Sequence, residues 1–387
     1  MQATDPRRPQ IDPRLLAESA EQGELRAVLR EFFAEAGGPE EARAQAGSRR
    51  GYDEKRWARL AGEIGVHGLA VPEEYGGAGY TFAELAVALE ESGRVLYGGP
   101  LLSTVVLAGQ ALLAAGDRSA CARYLPRITD GSLTATVAGF EGRATGVTAE
   151  QGASGPLLRG YADFVLDGAE AGLILVRAAT PAGPALFACE PSAGTSARTP
   201  LRVLDETRRQ ARVEFRGAPA LAVGTAEETR AAVAAALDAG RAGLAAEQVG
   251  GSGHALGATV EFVRQRQQFG RPIGSFQAVK HRLADVLVEL EAARSASAFA
   301  TACAAGASTE LPLAARAAAV VCSATFRRAV AEYVQLHGGI GFTWEHPAHL
   351  YVRRARSAEA LFGTADRNRA ELAELIGLGA ESGPSAA

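Results

Sequence analysis

The sequence predicts a multidomain α+β chain. An α-helical N-terminal domain is expected over residues 1–130, an antiparallel β domain over 131–225, and an antiparallel helical bundle of the four-helix type over 226–387. Three observations predict it. Apolar residues recur at helical spacing as far as about Arg127. From about Leu133 they fall instead into short runs separated by Gly, Pro, Asp and Ser. From about Ala226 the helical period returns and stays. A length of 387 residues also exceeds what one small core serves.

In the first region Leu25, Val28, Leu29, Phe32 and Phe33 share a helical period, as do Trp57, Leu60, Ile64 and Val66. The loop Gly68–Gly79 is glycine-rich and reads equally as a phosphate cradle or a turn. A helix is expected over Phe82–Val95, and another from Ser103 to about Ala115 with Ser103 or Thr104 as its cap. In the middle region, strands are expected at 135–138, 164–166, 172–176, 185–188 and 211–215. Asp167-Gly168 and Pro181–Pro184 are turn signals between them. The last region opens with one very long helix, Glu227 to Arg266. Its small residues, among them Gly240, Gly243, Ala245 and Ala246, permit close helix approach. Further helices are expected over 275–305 and 311–337, after Pro347, and from Ala365.

Composition narrows the function. A net charge of -4 provides no broad basic surface for nucleic acid. The four scattered cysteines form no CxxC pair, which argues against metal ligation or a disulfide framework and fits a reducing cytoplasm. Residues 1–13 lack the apolar core of a signal peptide, and no apolar run is long enough to span a bilayer. The tail over 381–387 has a disordered composition.

The bundle carries the most informative stretch, Arg264–Asp285. Gly270, Pro272 and Gly274 punctuate a turn between two helices, and Ser275 suits an N-cap. Arg266 and Phe269 place a guanidinium and a ring three residues apart. That pair suits a ligand with phosphates and an aromatic system, and equally suits a solvated helix end. Gln335–Phe342 ends another helix in a glycine-rich turn, where Gly338 and Gly339 either admit a ligand to the backbone or simply cap the helix. Asp238 and Arg241 lie three apart on the long helix and are spaced to pair.

These stretches resemble the acyl-CoA dehydrogenase family of flavoproteins. The pattern Arg266-x-x-Phe269-Gly270-x-x-Ile273-x-x-x-Gln277 resembles its hallmark. Ala70–Gly77 (Ala-Val-Pro-Glu-Glu-Tyr-Gly-Gly) and Gln335-x-x-Gly338-Gly339-x-Gly341-Phe342 resemble two more of its motifs, in the same order. The resemblance implies FAD, held by Arg266, Phe269, Gln277, Gln335, Gly338 and Gly339 reaching into a neighbouring subunit. It also implies a small barrel-like middle domain covering the flavin and at least a homodimer or tetramer. An electron-transfer flavoprotein is implied as electron acceptor. Phe164 falls where an aromatic stacks near the flavin, and Leu166 where a hydroxyl usually reaches N5. Ala138–Gly142 is the best register for the family's Thr-Glu-Pro-Gly-like segment. Thr364 and Asp366 fall at polar FAD contacts, and Asp238 and Arg241 at positions facing the acyl-CoA pantetheine.

The reaction implied is α,β-dehydrogenation of an acyl-CoA or acyl-carrier-protein thioester. A carboxylate takes the α-proton and the β-hydride passes to the flavin. Here the chain departs from the family. Phe362 occupies the usual glutamate position before Gly363-Thr364, leaving only its backbone N–H as an oxyanion donor, and Gly240 occupies the alternative position. Glu247 stands two turns beyond Gly240 on the same helix face, among small apolar neighbours. It is the expected base, as in an actinobacterial-type subgroup acting on bulky or sterol-derived acyl-CoAs. A structural glutamate is the competing reading. Two alternatives remain: a non-catalytic subunit that completes the flavin site of a heteromeric partner, and a flavin monooxygenase of the same fold.

Overall fold

The structure is a computed structural model that describes residues 12–35, 37–141 and 146–378. The tail at 381–387 and Gly142 therefore lie outside the described residues. The N-terminal region comprises α1 (Ala20–Glu35), α2 (Pro39–Ala46), α3 (Glu54–Gly62) and α4 (Phe82–Arg94). A π-helical segment, Leu101–Ala108, then runs into α5 (Gly109–Ala115), followed by α6 (Arg118–Thr129). Thr81 and Glu84 form a capping box at the start of α4. Ser103 and Thr104 cap nothing, because the chain is already helical from Leu101. Both are fully buried instead. The Ser103 hydroxyl donates to Asp167 Oδ2 at 2.5 Å, and that of Thr104 to the Ala135 carbonyl at 2.9 Å. The glycine-rich loop is a packed turn: a Cβ on Gly77 would collide with the Val71 carbonyl.

The middle region holds β1 (Ala135–Ala138), β2 (Thr148–Gly152), β3 (Gly155–Leu166), β4 (Leu173–Thr180), β5 (Gly183–Cys189), β6 (Ser196–Pro200), β7 (Gln210–Pro219) and β8 (Leu221–Val223). The order is β6-β7-β3-β2-β4-β5-β8, with β1 beside β4. Two expectations are corrected. The sheet is mixed, since β1 runs parallel to β4 and β2 meets β4 in a parallel register. It is also an open sheet, because β6 and β8 are its two ends and do not pair. Ile174, Val176, Val213 and Phe215 point into its own core.

The C-terminal region holds α7 (Ala226–Gln265), α8 (Gln277–Ala305), α9 (Leu311–His337), α10 (Ala348–Ala358) and α11 (Ala365–Leu375). Thr225 and Glu228 form the capping box that starts α7, and α7 then runs unbroken for 40 residues. Ser275 is not the cap of α8. It lies in a 3₁₀ turn and donates to the Pro272 carbonyl at 2.7 Å, while Phe276 precedes the helix without a side-chain cap. The helices α4 and α7 cross at glycines: a Cβ on Gly93 would collide with the Glu247 carbonyl, and one on Gly250 with that of Glu90. This approach lets Leu29, Phe33 and Leu89 share one core with Ala242, Ala245 and Leu290. The N-terminal and C-terminal helices thus bury one apolar interior, and the sheet flanks it.

Candidate active site

Three aromatic residues singled out in the sequence hold left-handed backbone: Phe164 (φ 57°), Phe269 (φ 54°) and Phe362 (φ 55°). Such a conformation is costly for a bulky side chain, on the order of 1–3 kcal/mol, and persists only where the surroundings enforce it. The strain therefore marks three places that the fold holds against local preference.

Two of them meet in one cleft. Phe164 lies in β3 two residues before its end, at the register shift opposite β7, and is 61% exposed, whereas Phe362 follows α10 and is buried. With Leu166, Leu237, Glu141 and Asp163 they line a cleft of about 460 Å³ between sheet and bundle. The backbone of Phe362 is held on both flanking peptides. Its carbonyl accepts from Arg241 Nε at 3.0 Å, and its N–H donates to Glu141 Oε1 at 3.2 Å. Asn368 braces the next peptide, donating to the Gly363 carbonyl at 2.9 Å. Arg241 is itself fixed by Asp238 at 2.7 Å, and Arg316 joins Asp238 at 2.9 Å and Glu371 at 2.8 Å. Asp238 and Arg241 therefore pair as their spacing indicated, but in a buried network rather than on the surface. Burial is the largest influence on the Arg241 guanidinium and, with Arg316 beside it, lowers its pKa.

Both places where the family puts its base are filled by apolar packing. A Cβ on Gly240 would lie 3.2 Å from the Phe362 ring and 2.8 Å from Leu107. Glu247 is buried as expected, but its surroundings are not apolar. Arg208 forms a close ion pair with it, and Arg354 Nη1 stands 3.8 Å away. Arg354 is bound in turn to Asp205 at 2.6 Å. This buried cluster ties the strand-connecting segment 205–208 to α7 and α10, and Glu247 is not among the residues lining the cleft. The arginines were invisible in the sequence because they lie 39 residues before and 107 after Glu247. Glu141 sits in the Ala138–Gly142 stretch that the sequence offered, yet nothing there marked it as facing Phe362.

The third strained residue belongs to a separate surface. Phe269 is 91% exposed, beside Arg266, whose side chain pairs with no carboxylate among the described residues. Phe262, one turn before Arg266, stacks on His337 at 4.2 Å, which draws the ends of α7 and α9 together. Burial lowers the His337 pKa and so favours a neutral ring. Gly338 (φ 62°) caps α9, and nothing lies within 4 Å of where a Cβ on Gly338 or Gly339 would stand. Gln335 is exposed nearby, and Gln277 Nε2 meets His281 Nε2 at 2.9 Å. Thr364 caps α11, accepting from the Arg367 N–H, and Asp366 is exposed and pairs with Arg369 at 2.8 Å. Gly240 lies in α7 and Arg266 caps its end, roughly 39 Å away along the axis at 1.5 Å per residue. The cleft and this surface thus cannot grip the same end of one small ligand within a single chain.

A cleft walled largely by apolar side chains with two strained aromatics, and a separate surface with an exposed ring, an arginine and an open glycine turn, have the chemistry to hold a large ligand that carries both rings and phosphates. The comparisons agree. Family models for the acyl-CoA dehydrogenase N-terminal and C-terminal domains match residues 19–132 and 230–377. The chain is 37% identical over 337 residues to the acyl-CoA dehydrogenase IpdE2 of Mycobacterium tuberculosis, covering 87% of this chain and 91% of that one. It matches a chain of a variant of the Tcur3481–Tcur3483 steroid ACAD with a TM-score of 0.83 and 34% identity, over 94% of this chain and 99% of that one. It matches a chain of the ChsE4–ChsE5 complex from Mycobacterium tuberculosis with a TM-score of 0.84 and 26% identity, over 96% and 100%. The chain belongs to the acyl-CoA dehydrogenase family, whose cofactor is FAD.

The residues fit that cofactor. A guanidinium with no carboxylate partner among the described residues and an open glycine turn suit a diphosphate, the exposed Phe269 ring suits a stacked base, and the largely apolar cleft at Phe164 suits a flavin ring. Leu166 lines the cleft without a hydroxyl to offer the ring.

Proposed function

We propose that the protein carries out FAD-dependent α,β-dehydrogenation of an acyl-CoA thioester to the 2-enoyl thioester. The observation that carries the reading is the Phe362 peptide. The residue is strained and buried, its carbonyl is held by Arg241, and its N–H donates to Glu141, a side chain that lines the cleft, which puts this N–H at the cleft wall as the oxyanion donor of the reading. Bound FAD supplies the hydride acceptor. The chain's own residues orient the thioester: Asp238 and Arg316 hold Arg241, and Arg241 with Asn368 holds the Phe362–Gly363 turn. The roughly 39 Å between cleft and clamp supports an oligomer in which Arg266, Phe269, Gln335 and Gly338 of one chain serve the flavin of another. The steroid class named for the 34% identical relative makes bulky ring-bearing acyl-CoAs the first substrates to try. The test is a flavin spectrum followed by anaerobic mixing with straight-chain and ring-bearing acyl-CoAs. Bleaching by at least one is expected, whereas a chain that binds FAD in no assembly refutes the reading.

A second reading rests on the packing of Phe362 against Gly240, which removes the carboxylate from both usual base positions. On that reading the chain is the half-site member of a heteromeric dehydrogenase, lending its clamp to a base-bearing partner, as the two-component names of the related structures invite. It predicts no bleaching by the chain alone and full bleaching after mixing with that partner.

A further inference from the structure

The dehydrogenation reading leaves the α-proton without an acceptor at Phe362 and Gly240, and Glu247 lies outside the cleft between two arginines. Two carboxylates do line the cleft. Asp163 is paired with Arg212 at 3.3 Å, and Glu141 has no cationic partner among the described residues. Glu141 instead accepts the Phe362 N–H at 3.2 Å, the donor aimed at the thioester oxygen.

We propose that Glu141 is the base that takes the α-proton, an inference resting on the dehydrogenation reading. A thioester oxygen and the Glu141 carboxylate compete for one N–H. When the oxygen takes it, the carboxylate swings aside by a side-chain rotation. The α-carbon is one bond from the carbonyl carbon, so the displaced oxygens stand next to the α-hydrogen. The α C–H bond then breaks and its proton goes to a Glu141 oxygen. The electron pair becomes the new carbon–carbon double bond as the β C–H bond breaks with loss of hydride, for which bound FAD would supply the two-electron acceptor. Charge gathering on the thioester oxygen is met by the vacated Phe362 N–H. Glu141 thus guards the oxyanion donor at rest and acts as base once displaced.

The test compares wild type with Glu141→Gln and Glu141→Ala, each reconstituted with FAD and, where required, with a partner subunit. Exchange of α-hydrogens for deuterium is followed by mass spectrometry, using the acyl-CoA that bleaches the wild type best. Binding of acetoacetyl-CoA, which binds without turnover, is followed by calorimetry. Exchange should fall about 10²–10⁴-fold in Glu141→Gln. Acetoacetyl-CoA should bind Glu141→Ala as tightly as wild type or tighter, because the N–H is no longer contested. Exchange within threefold of wild type, or acetoacetyl-CoA binding weakened in Glu141→Ala, overturns the proposal. If wild type itself exchanges no α-hydrogen with any acyl-CoA in any assembly, the dehydrogenation reading fails and takes the base assignment with it.

Discussion

Replacing Glu247 by glutamine separates a structural carboxylate from a catalytic one. Its side chain is 8% exposed, as is 7% of Arg208 and 4% of Arg354. Arg354 keeps Asp205 and the Thr207 hydroxyl in the variant, so the deficit falls on Arg208, which among the described residues has no other carboxylate and no partner for its buried Nη1. Breaking a buried pair from one side costs about 3–5 kcal/mol. The glutamine amide oxygen still accepts a hydrogen bond, which places the loss near the lower end, about 3 kcal/mol. At roughly 1 °C per kcal/mol for a cooperative unit of 387 residues, the melting temperature should drop by about 3–5 °C. Turnover well below that temperature should change less than about tenfold. The double variant Glu247→Leu with Arg208→Met should recover much of the loss, since an apolar pair of similar size avoids the desolvation cost. An unshifted melting curve combined with a turnover loss of about 10²–10⁴-fold would refute this reasoning and restore Glu247 as the base.

Three further outcomes follow from the geometry. Burial pushes the Asp167 carboxyl up to about 6 against the opposing Ser103 hydrogen bond, so the folded chain holds this proton after the unfolded chain has released it. Its contribution to stability is therefore highest below about pH 4 and falls as pH rises to about 6, by up to about 2–3 kcal/mol. Asp167→Asn should remove that fall, seen as denaturant midpoints less sensitive to pH across the window. Phe269→Ala should leave the melting temperature of the apoprotein within about 2 °C, because the ring is exposed, yet weaken FAD retention on gel filtration; unchanged retention would count against the clamp. Gly93→Ala should destabilise by about 2 kcal/mol or more, because its Cβ meets the Glu247 carbonyl rather than a movable side chain, and a neutral effect on urea unfolding would show that α4 and α7 can separate freely.

The helices were legible because their signals are local. The bounds of α9 follow from periodicity alone, and the start of α7 from the return of the helical period at about Ala226. Ser103 and Ser275 misled because a serine at an apparent helix start also bonds elsewhere, and only the tertiary partner, Asp167 or the Pro272 carbonyl, decides. Sheet direction was illegible for a related reason: β1 is joined to β4 across two intervening strands, which no local period records. The site divides the same way. Motif residues such as Arg266 and Gly338 could be found in the chain, but the company of Glu247 could not. Its apolar neighbours in sequence lie along α7, whereas Arg208 and Arg354 arrive from the strand-connecting segment and from α10.

The uninterrupted α7 has a consequence for how this chain can diverge. It carries Asp238 and Arg241 in its first half and delivers Arg266 at its end, with no loop between to absorb a change in length. Each residue inserted after Arg241 would turn everything beyond it by about 100° and advance it about 1.5 Å. One added residue would swing Arg266 and Phe269 around the axis, away from the glycine turn after α9. Seven would bring them back to within about 20° of their present bearing but some 10 Å farther along. α7 behaves as a fixed gauge between two candidate binding surfaces and admits substitution far more readily than insertion.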